Sequence, residues 1–465
     1  MRKTILLSLI ILNALILPQS GRAQEAKNND QPPTAAIVKL SMEKAIELAL
    51  AHNEQMRIAD QAIDEAEGSY TYYAADAFPQ ISGNASYTRY LERPYTMVDM
   101  TFLNPILAQF NAPPLSPTKS YFYNSHEWDF RLVAEQNLFT FGKVTNAIRL
   151  GGVYTDLAKQ QKQITQQDLV AQTKESYLGV LFAREAVKVA ESNLQLTQET
   201  YDVTAAKTQQ GVLSKFDLLL VESELAAAKP ELLRAQSQYQ TALQALLFTI
   251  GEPLDREVEI TGELSYRTLD ATKGALLNEA KIQRAELRAL QLQEEMYDYS
   301  YKISRAMYFP TLKANGTYAY SGGTDKQIYP ENPDDQMLPT LSFGVSLHVP
   351  LFDGLRSYGQ MKQMAAKRGT AKLQYQQTAR AIDLEISRLF DETKVQEGIV
   401  DASRKSLEVA EQAYKLSAIR FDNGLGTRLE MTDARNRVTL ARLGLAQSLY
   451  NLNLSHARLE RAVGK

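Results

Sequence analysis

The sequence predicts a mostly α-helical chain that also carries membrane β-strands. Three observations point there. The chain repeats itself: Phe78-Pro79-Gln80-Ile81 returns as Phe309-Pro310-Thr311-Leu312, an offset of 231. Leu138-Phe139, Tyr201, Gly211 and Gly251 return as Leu351-Phe352, Tyr414, Gly424 and Gly464 at an offset of 213. Each repeat holds two runs of strict apolar–polar alternation, the period of a strand with two unlike faces. Each also holds a helical pattern much longer than a globular helix. The offsets differ by 231 − 213 = 18, so repeat one carries 18 extra residues between Phe78 and Leu138.

The elements follow in order. Arg2 and Lys3, an apolar run from Ile5 to Leu17, and Gly21-Arg22-Ala23 read as a signal peptide over 1–23 cut after Ala23, with a linker over 24–40. The run is short for a bilayer span. Repeat one covers 41–251. Ser41 caps a helix from Met42 that carries Ala45, Leu48, Ala49, Ile58, Ala59 and Ala62 at helical spacing and ends by Pro79. A strand over 78–90 turns Ile81, Gly83, Ala85 and Tyr87 one way and Ser82, Asn84 and Ser86 the other. After a loop, a strand over 127–139 sets Trp128, Phe130 and Leu132 against Asp129 and Arg131. Two long helices follow, about Lys143 to Gln210 and Ser214 to Ile250. Leu157, Ile164, Ala171 and Leu178 give the first a heptad seam, and Pro230 is expected to kink the second. An inter-repeat linker spans 252–270. Repeat two, 271–465, has the same order: helix, strand 309–322, loop, strand 339–352, and helices over Ser357–Asp422 and Thr427–Val463.

Composition narrows the chemistry. With 51 Lys+Arg against 54 Asp+Glu the net charge is −3, which gives no general pull toward nucleic acid. There is no cysteine, and the four histidines, His52, His126, His348 and His456, form no i, i+4 metal pair. No Walker loop, HExxH or nucleophile elbow is present. The expectation is no catalytic residue, no metal and no cofactor.

Strands with one apolar and one polar face need a protein core or lipid on the apolar side. Four strands are too few to close a barrel, and an open edge is not viable in a bilayer. The chain is therefore expected to oligomerise. Two copies supply eight strands and three supply twelve. Tyr87, Trp128, Phe130, Tyr318 and Tyr320 are candidates for an interfacial aromatic girdle. The competing reading is the edge of a soluble sandwich with those aromatics in its core.

The motifs then acquire a likeness. Pro350-Leu351-Phe352-Asp353-Gly354-Leu355-Arg356 resembles the strand-to-helix signature of the TolC family of outer-membrane channels. Ala285-Glu286-Leu287-Arg288-Ala289-Leu290 resembles its helix-start motif. Arg420-Phe421-Asp422-Asn423-Gly424, followed by Thr427 and Asp433-Ala434, resembles its tip motif. The resemblance implies a homotrimer with a 12-stranded outer-membrane barrel in outer-membrane lipid and a coiled-coil periplasmic tunnel. The linker 252–270 would lie in the tunnel's equatorial belt, with the belt's C-terminal part expected to be short or missing. It implies a passive exit duct for efflux or type I secretion, working with a periplasmic adaptor and an inner-membrane pump of RND or ABC type.

By matched position, Glu430 and Asp433 fall where the family places carboxylate rings, and Asp217 where it places a locking acid. Gly211, Phe421, Gly424, Leu425, Thr427 and Arg428 are the matched tip contacts. Ser214…Asp217 and Thr427…Glu430 also read as capping boxes, so Asp217 and Glu430 stand between cap and gate. Where the family's lock uses a Tyr and an Arg, this chain has Phe421 and Gly426, with Arg428 two residues on as a substitute. The alternative to a duct is a periplasm-spanning scaffold, anchored by a β ring without a pore. It predicts apolar packing on the inner strand face.

Overall fold

The structure, a computed structural model, describes residues 38–326, 328 and 337–465. The expected signal peptide and residues 24–37 lie outside the described residues. Val38, Lys39 and residues 257–259 form a small unit where β1 (Val38–Leu40) pairs with β6 (Val258–Ile260). The large unit holds the rest.

The first helical stretch is two helices where one is expected: α1 (Met42–His52) and α2 (Glu54–Ala75). Ser41 does cap α1, its hydroxyl accepting from Lys44 N at 3.2 Å. Asn53 turns extended between them, caps Gln55 N at 2.8 Å, and donates through Nδ2 to Thr249 O at 2.8 Å. The break is tertiary in origin. The end of a later helix arrives here, and Gly251 stands so close that a Cβ on it would lie 2.8 Å from the His52 carbonyl carbon. Nothing local announces it.

β2 (Gln80–Arg89) leads to a short hairpin, β3 (Tyr95–Val98) and β4 (Thr118–Tyr121), with α3 (Asn104–Gln109) between its arms. This sits in what reads as plain loop. β5 (His126–Phe139) returns, and α4 (Lys143–Gln209) and α5 (Lys215–Thr249) follow, the latter running through Pro230 as one helix. With 67 residues, α4 is roughly 100 Å long. Repeat two gives α6 (Lys273–Gln283), α7 (Ala285–Ala306), β7 (Thr311–Thr324), β8 (Met337–His348), α8 (Arg356–Asp422) and α9 (Arg428–Val463). β8 stops at His348, short of 352, because Pro350 has no N–H to donate to a ladder.

α2 and α5 lie against α4, α7 packs on both α4 and α8, and α9 packs on α8 and α4. One core gathers where four helices of repeat two meet: Leu276, Ala280, Leu287, Ile382, Ile386, Leu389, Leu459 and Val463. Along the middle of α4 the buried residues include Leu169, Thr173, Tyr177 and Val180. Of the expected seam only Leu178 is fully buried in one chain.

The four long strands form one antiparallel sheet in the order β2-β5-β7-β8. Its register aligns the alternation of all four. Tyr87 faces Trp128, Ala85 faces Phe130 and then Tyr320, and Leu132 faces Tyr318 and then Leu341. The other face aligns Asn84, Arg131, Ala319 and Thr340. β2 and β8 are left as open edges.

Candidate functional site

Two regions carry functional character: the far end of the long helices, and the sheet. At the far end both hairpins turn alike. Gly211 (φ 76°) and Gly424 (φ 74°) take the left-handed conformation that ends α4 and α8. Val212 N then donates to Lys207 O at 2.9 Å and Leu425 N to Arg420 O at 2.8 Å. Ser214 caps α5 and Thr427 caps α9. Each is part of a complete capping box, with Asp217 and Glu430 reaching back. Capping therefore accounts for both acids within one chain.

Asp217 does more than cap. The Ser214 hydroxyl, with help from Arg428, holds its carboxyl below the usual aspartate range. Arg428 Nε stands 3.5 Å from Asp217 Oδ1, and its Nη1 lies 3.1 Å from Glu224 Oε1. The second oxygen of Glu224 takes Arg435 Nη2 at 2.8 Å. Arg435 is 4% exposed. Arg428 and Arg435, seven apart on one face of α9, thus grip one carboxylate on α5 and tie repeat one to repeat two. Glu224 and Arg435 do not stand out in the sequence. Their partners lie 211 residues apart, and only the helix-face spacing of the two arginines hints at a shared acid.

Phe421, one of the expected tip contacts, is buried at 3% exposure beneath Lys207, whose Nζ lies 4.3 Å from the ring centre. The ammonium donates to Phe421 O at 2.9 Å. Lys207 is another contact missed from sequence. It places a cation over a ring and on the last carbonyls of a helix. Asp433 stays exposed and pairs with Arg437 at 2.8 Å, so the structure brings it to neither Asp217 nor Glu430. Val212 and Phe216 are exposed beside the first turn, and Leu425 and Leu429 at the matching places of the second.

On the sheet the five candidate girdle residues share the apolar face. Tyr87 and Trp128 have ring centres 4.7 Å apart, Trp128 and Phe130 6.0 Å. Tyr318 and Tyr320 continue these rows on β7. A second aromatic band stands at the strand–helix corners: Phe139, Phe141 and Phe309, with Phe141 and Phe309 stacked at 5.0 Å and Phe139 and Phe141 at 4.6 Å. Among the described residues no helix is long and apolar enough to cross a membrane, and no group of three or more His, Cys, Asp or Glu is placed to hold a metal.

A family model described as outer membrane efflux protein matches residues 45–252 and 276–465. The chain belongs to that family. Members are transport conduits of the outer membrane, so this chain is an outer-membrane exit channel and not an enzyme. Nodulation protein T of Rhizobium leguminosarum bv. viciae is 22% identical over 63% of this chain and 60% of its own length. The probable efflux pump outer membrane protein TtgC of Pseudomonas putida is 19% identical over 91% of this chain and 83% of its own. The fold matches the Campylobacter jejuni CmeC outer membrane channel at TM-score 0.74, with 17% identity over 91% of this chain and 85% of that one. VceC of Vibrio cholerae matches at 0.70, with 18% identity over 91% and 96%.

Proposed function

We propose that three copies close their sheets into one 12-stranded barrel and their helices into one tunnel, making a passive duct gated at the helical tip. The observation that carries this is the four-stranded sheet with one continuous exposed apolar face and two open edges. Such a sheet satisfies its edge N–H and C=O groups in lipid only by closing on further strands. β8 of one copy would pair with β2 of the next. The opposite face carries Ser82, Asn84, Ser86, Asp129, Arg131, Asn315 and Thr317, a lining for water and not for a plugged ring. The two aromatic bands are the right distance apart. Trp128 and Phe139 are eleven residues apart on β5. At about 3.3 Å per residue and a tilt of about 40°, that spans roughly 28 Å of membrane normal, close to the apolar band of such barrels.

The tip is the gate in this reading. Arg428 and Arg435 on Glu224, with Asp217 and the Lys207–Phe421 contact, hold α8 and α9 to α4 and α5 and keep the end narrow. Glu430 and Asp433 contribute carboxylates near the axis and favour cations there. The twice-repeated apolar pairs, Val212/Phe216 and Leu425/Leu429, give a trimer six equivalent knobs for a periplasmic adaptor. The energy comes from an inner-membrane pump of RND or ABC type. Relatives named for alkaline protease secretion and for toluene efflux support an export role.

The test is the mass of the detergent-extracted particle, with its flux of small solutes in liposomes. A trimer that passes solutes is expected. A monomer, or a trimer that passes none with its tip clamp removed, contradicts the duct.

A further inference from the structure

The segment from Tyr90 to Ser125, between β2 and β5, is ordered but has no interior. Its root is pinned several times over. Arg93 lies 2.5 Å from Asp325, donates to Tyr123 O at 3.3 Å, and stacks on Tyr121 at 4.0 Å. Ser125 N donates to the same Asp325, and Tyr90 stacks on Tyr123 at 5.0 Å. Further out, the Asn104 side chain bonds both the N–H and the C=O of Leu115, at 2.7 and 3.1 Å, and closes the outer arch. Yet no residue from 91 to 125 is buried. Phe102 is 72% exposed, Phe110 77%, and Met97, Met100 and Ile106 about half exposed.

A fixed arch that shows this much apolar surface to water is half of an interface, since its ordering cost is not met by any core of its own. We infer that the other half is the same segment of neighbouring copies, so that three arches pack together as an apolar lid over the outer mouth of the duct. This rests on the trimeric reading above. Two observations select a second copy over the lipid headgroup layer. The segment springs directly from the end of β2, the open edge that must lie against the next chain, so it continues that interface. It also carries only Glu92, Arg93, Asp99 and Lys119 as charges, for a net of zero, and Arg93 is already spent on Asp325. The remaining cation of the segment, Lys119, sits over the Tyr95 ring at 4.1 Å, and a single ammonium is too little to grip an anionic headgroup layer. A ring of Phe, Met and Ile at a mouth excludes water and restricts ion flow without any charged gate.

The chain has no cysteine, so Phe102→Cys and Phe110→Cys each introduce a single thiol. A disulfide forms only when the two Cα atoms come within about 7 Å. Under oxidation the trimer of either variant is expected to give covalent dimers on a denaturing gel, with one thiol in three left over. Phe343→Cys, on the exposed apolar face of β8, should give none. A short bis-maleimide serves if the thiols meet at a poor angle. In a clamp-free background, the double variant Phe102→Ser/Phe110→Ser should conduct more than its parent. Trimers whose thiols at 102 and 110 fail to cross-link and react freely with a water-soluble maleimide overturn the lid and leave the duct standing. Quenching of a fluorophore at 102 by lipid-borne nitroxides overturns it in favour of membrane docking. A monomeric particle in the same samples removes the duct and the lid together.

Discussion

The two repeats meet the same mechanical problem with different chemistry. In each, the last helix of the repeat runs head-on into the break between two shorter ones. Gly251 lies against His52 and Asn53; Gly464 lies against Gln283, with a Cβ 2.9 Å from that backbone carbon. Both glycines have positive φ, so both positions need a residue without a side chain on two counts. At the first joint the capping residue is a neutral amide, Asn53. At the second it is Arg284, 5% exposed, which bonds Glu385 at 2.5 Å and lies 3.5 Å from Glu286. Arg461 joins Glu286 at 2.9 Å and Asp168 at 2.5 Å. Duplication thus kept the backbone constraint and let the polar solution diverge, because geometry admits one answer there and hydrogen bonding admits several.

The pH responses should diverge in sign. Burial pushes Glu286 up, and the nearby charges of Asp168 and Glu385 push the same way; burial likewise raises Glu385. At the first joint burial also pushes Glu252 up, but Arg256 and His52 outweigh it and leave the carboxyl low. A carboxyl whose folded pKa is raised contributes fully below the ordinary glutamate value and loses that contribution as pH rises through the raised one. A depressed carboxyl does the reverse.

The largest expected effect breaks the comparison at its polar residue. Arg284→Ala takes the close partner from Glu385, leaves Glu286 to Arg461 alone, and should cost on the order of 3 kcal/mol of helical-domain stability. Asn53→Ala removes a cap and the buried bond to Thr249 O and should cost on the order of 1–2 kcal/mol. Circular dichroism melts of both variants check this, and equal losses would show that the two joints are not chemically distinct. Next, Gly251→Val and Gly464→Val should each cost about 3 kcal/mol, since left-handed strain and a backbone collision add. One variant tolerated and the other not would dissolve the shared constraint. The smallest effect is in pH. Glu286→Gln should raise the melting midpoint near pH 8 and leave it unchanged near pH 4, while Glu252→Gln should lower it near pH 8 and not near pH 4. Melts at the two pH values read the signs directly, and parallel shifts would contradict the account.

What the sequence revealed was what it encodes locally. Period-two alternation set the faces of all four long strands, and the register then aligned them. The Gly211 and Gly424 turns and both capping boxes are written within a few residues. What stayed hidden is non-local. Asn53 and Arg284 break helices without a Gly or Pro beside them, because the cause is a helix end arriving from some 200 residues away. The Glu224 clamp needed two helices from different repeats to be placed before its acid could be seen among many on solvated faces. The β3–β4 hairpin announced itself only as 18 extra residues, since four-residue strands are too short for a periodic signal.

The most direct test of the central claim, a three-chain duct held shut at its tip, is single-channel conductance in a planar bilayer. Wild type should be measured beside Glu224→Ala, which releases Arg435 and leaves Arg428 only its contact with Asp217. A small, cation-selective conductance that rises severalfold in the variant is the predicted result. Equal conductance in the two, with trimer and β-structure intact, would contradict the clamp as the element that closes the tip.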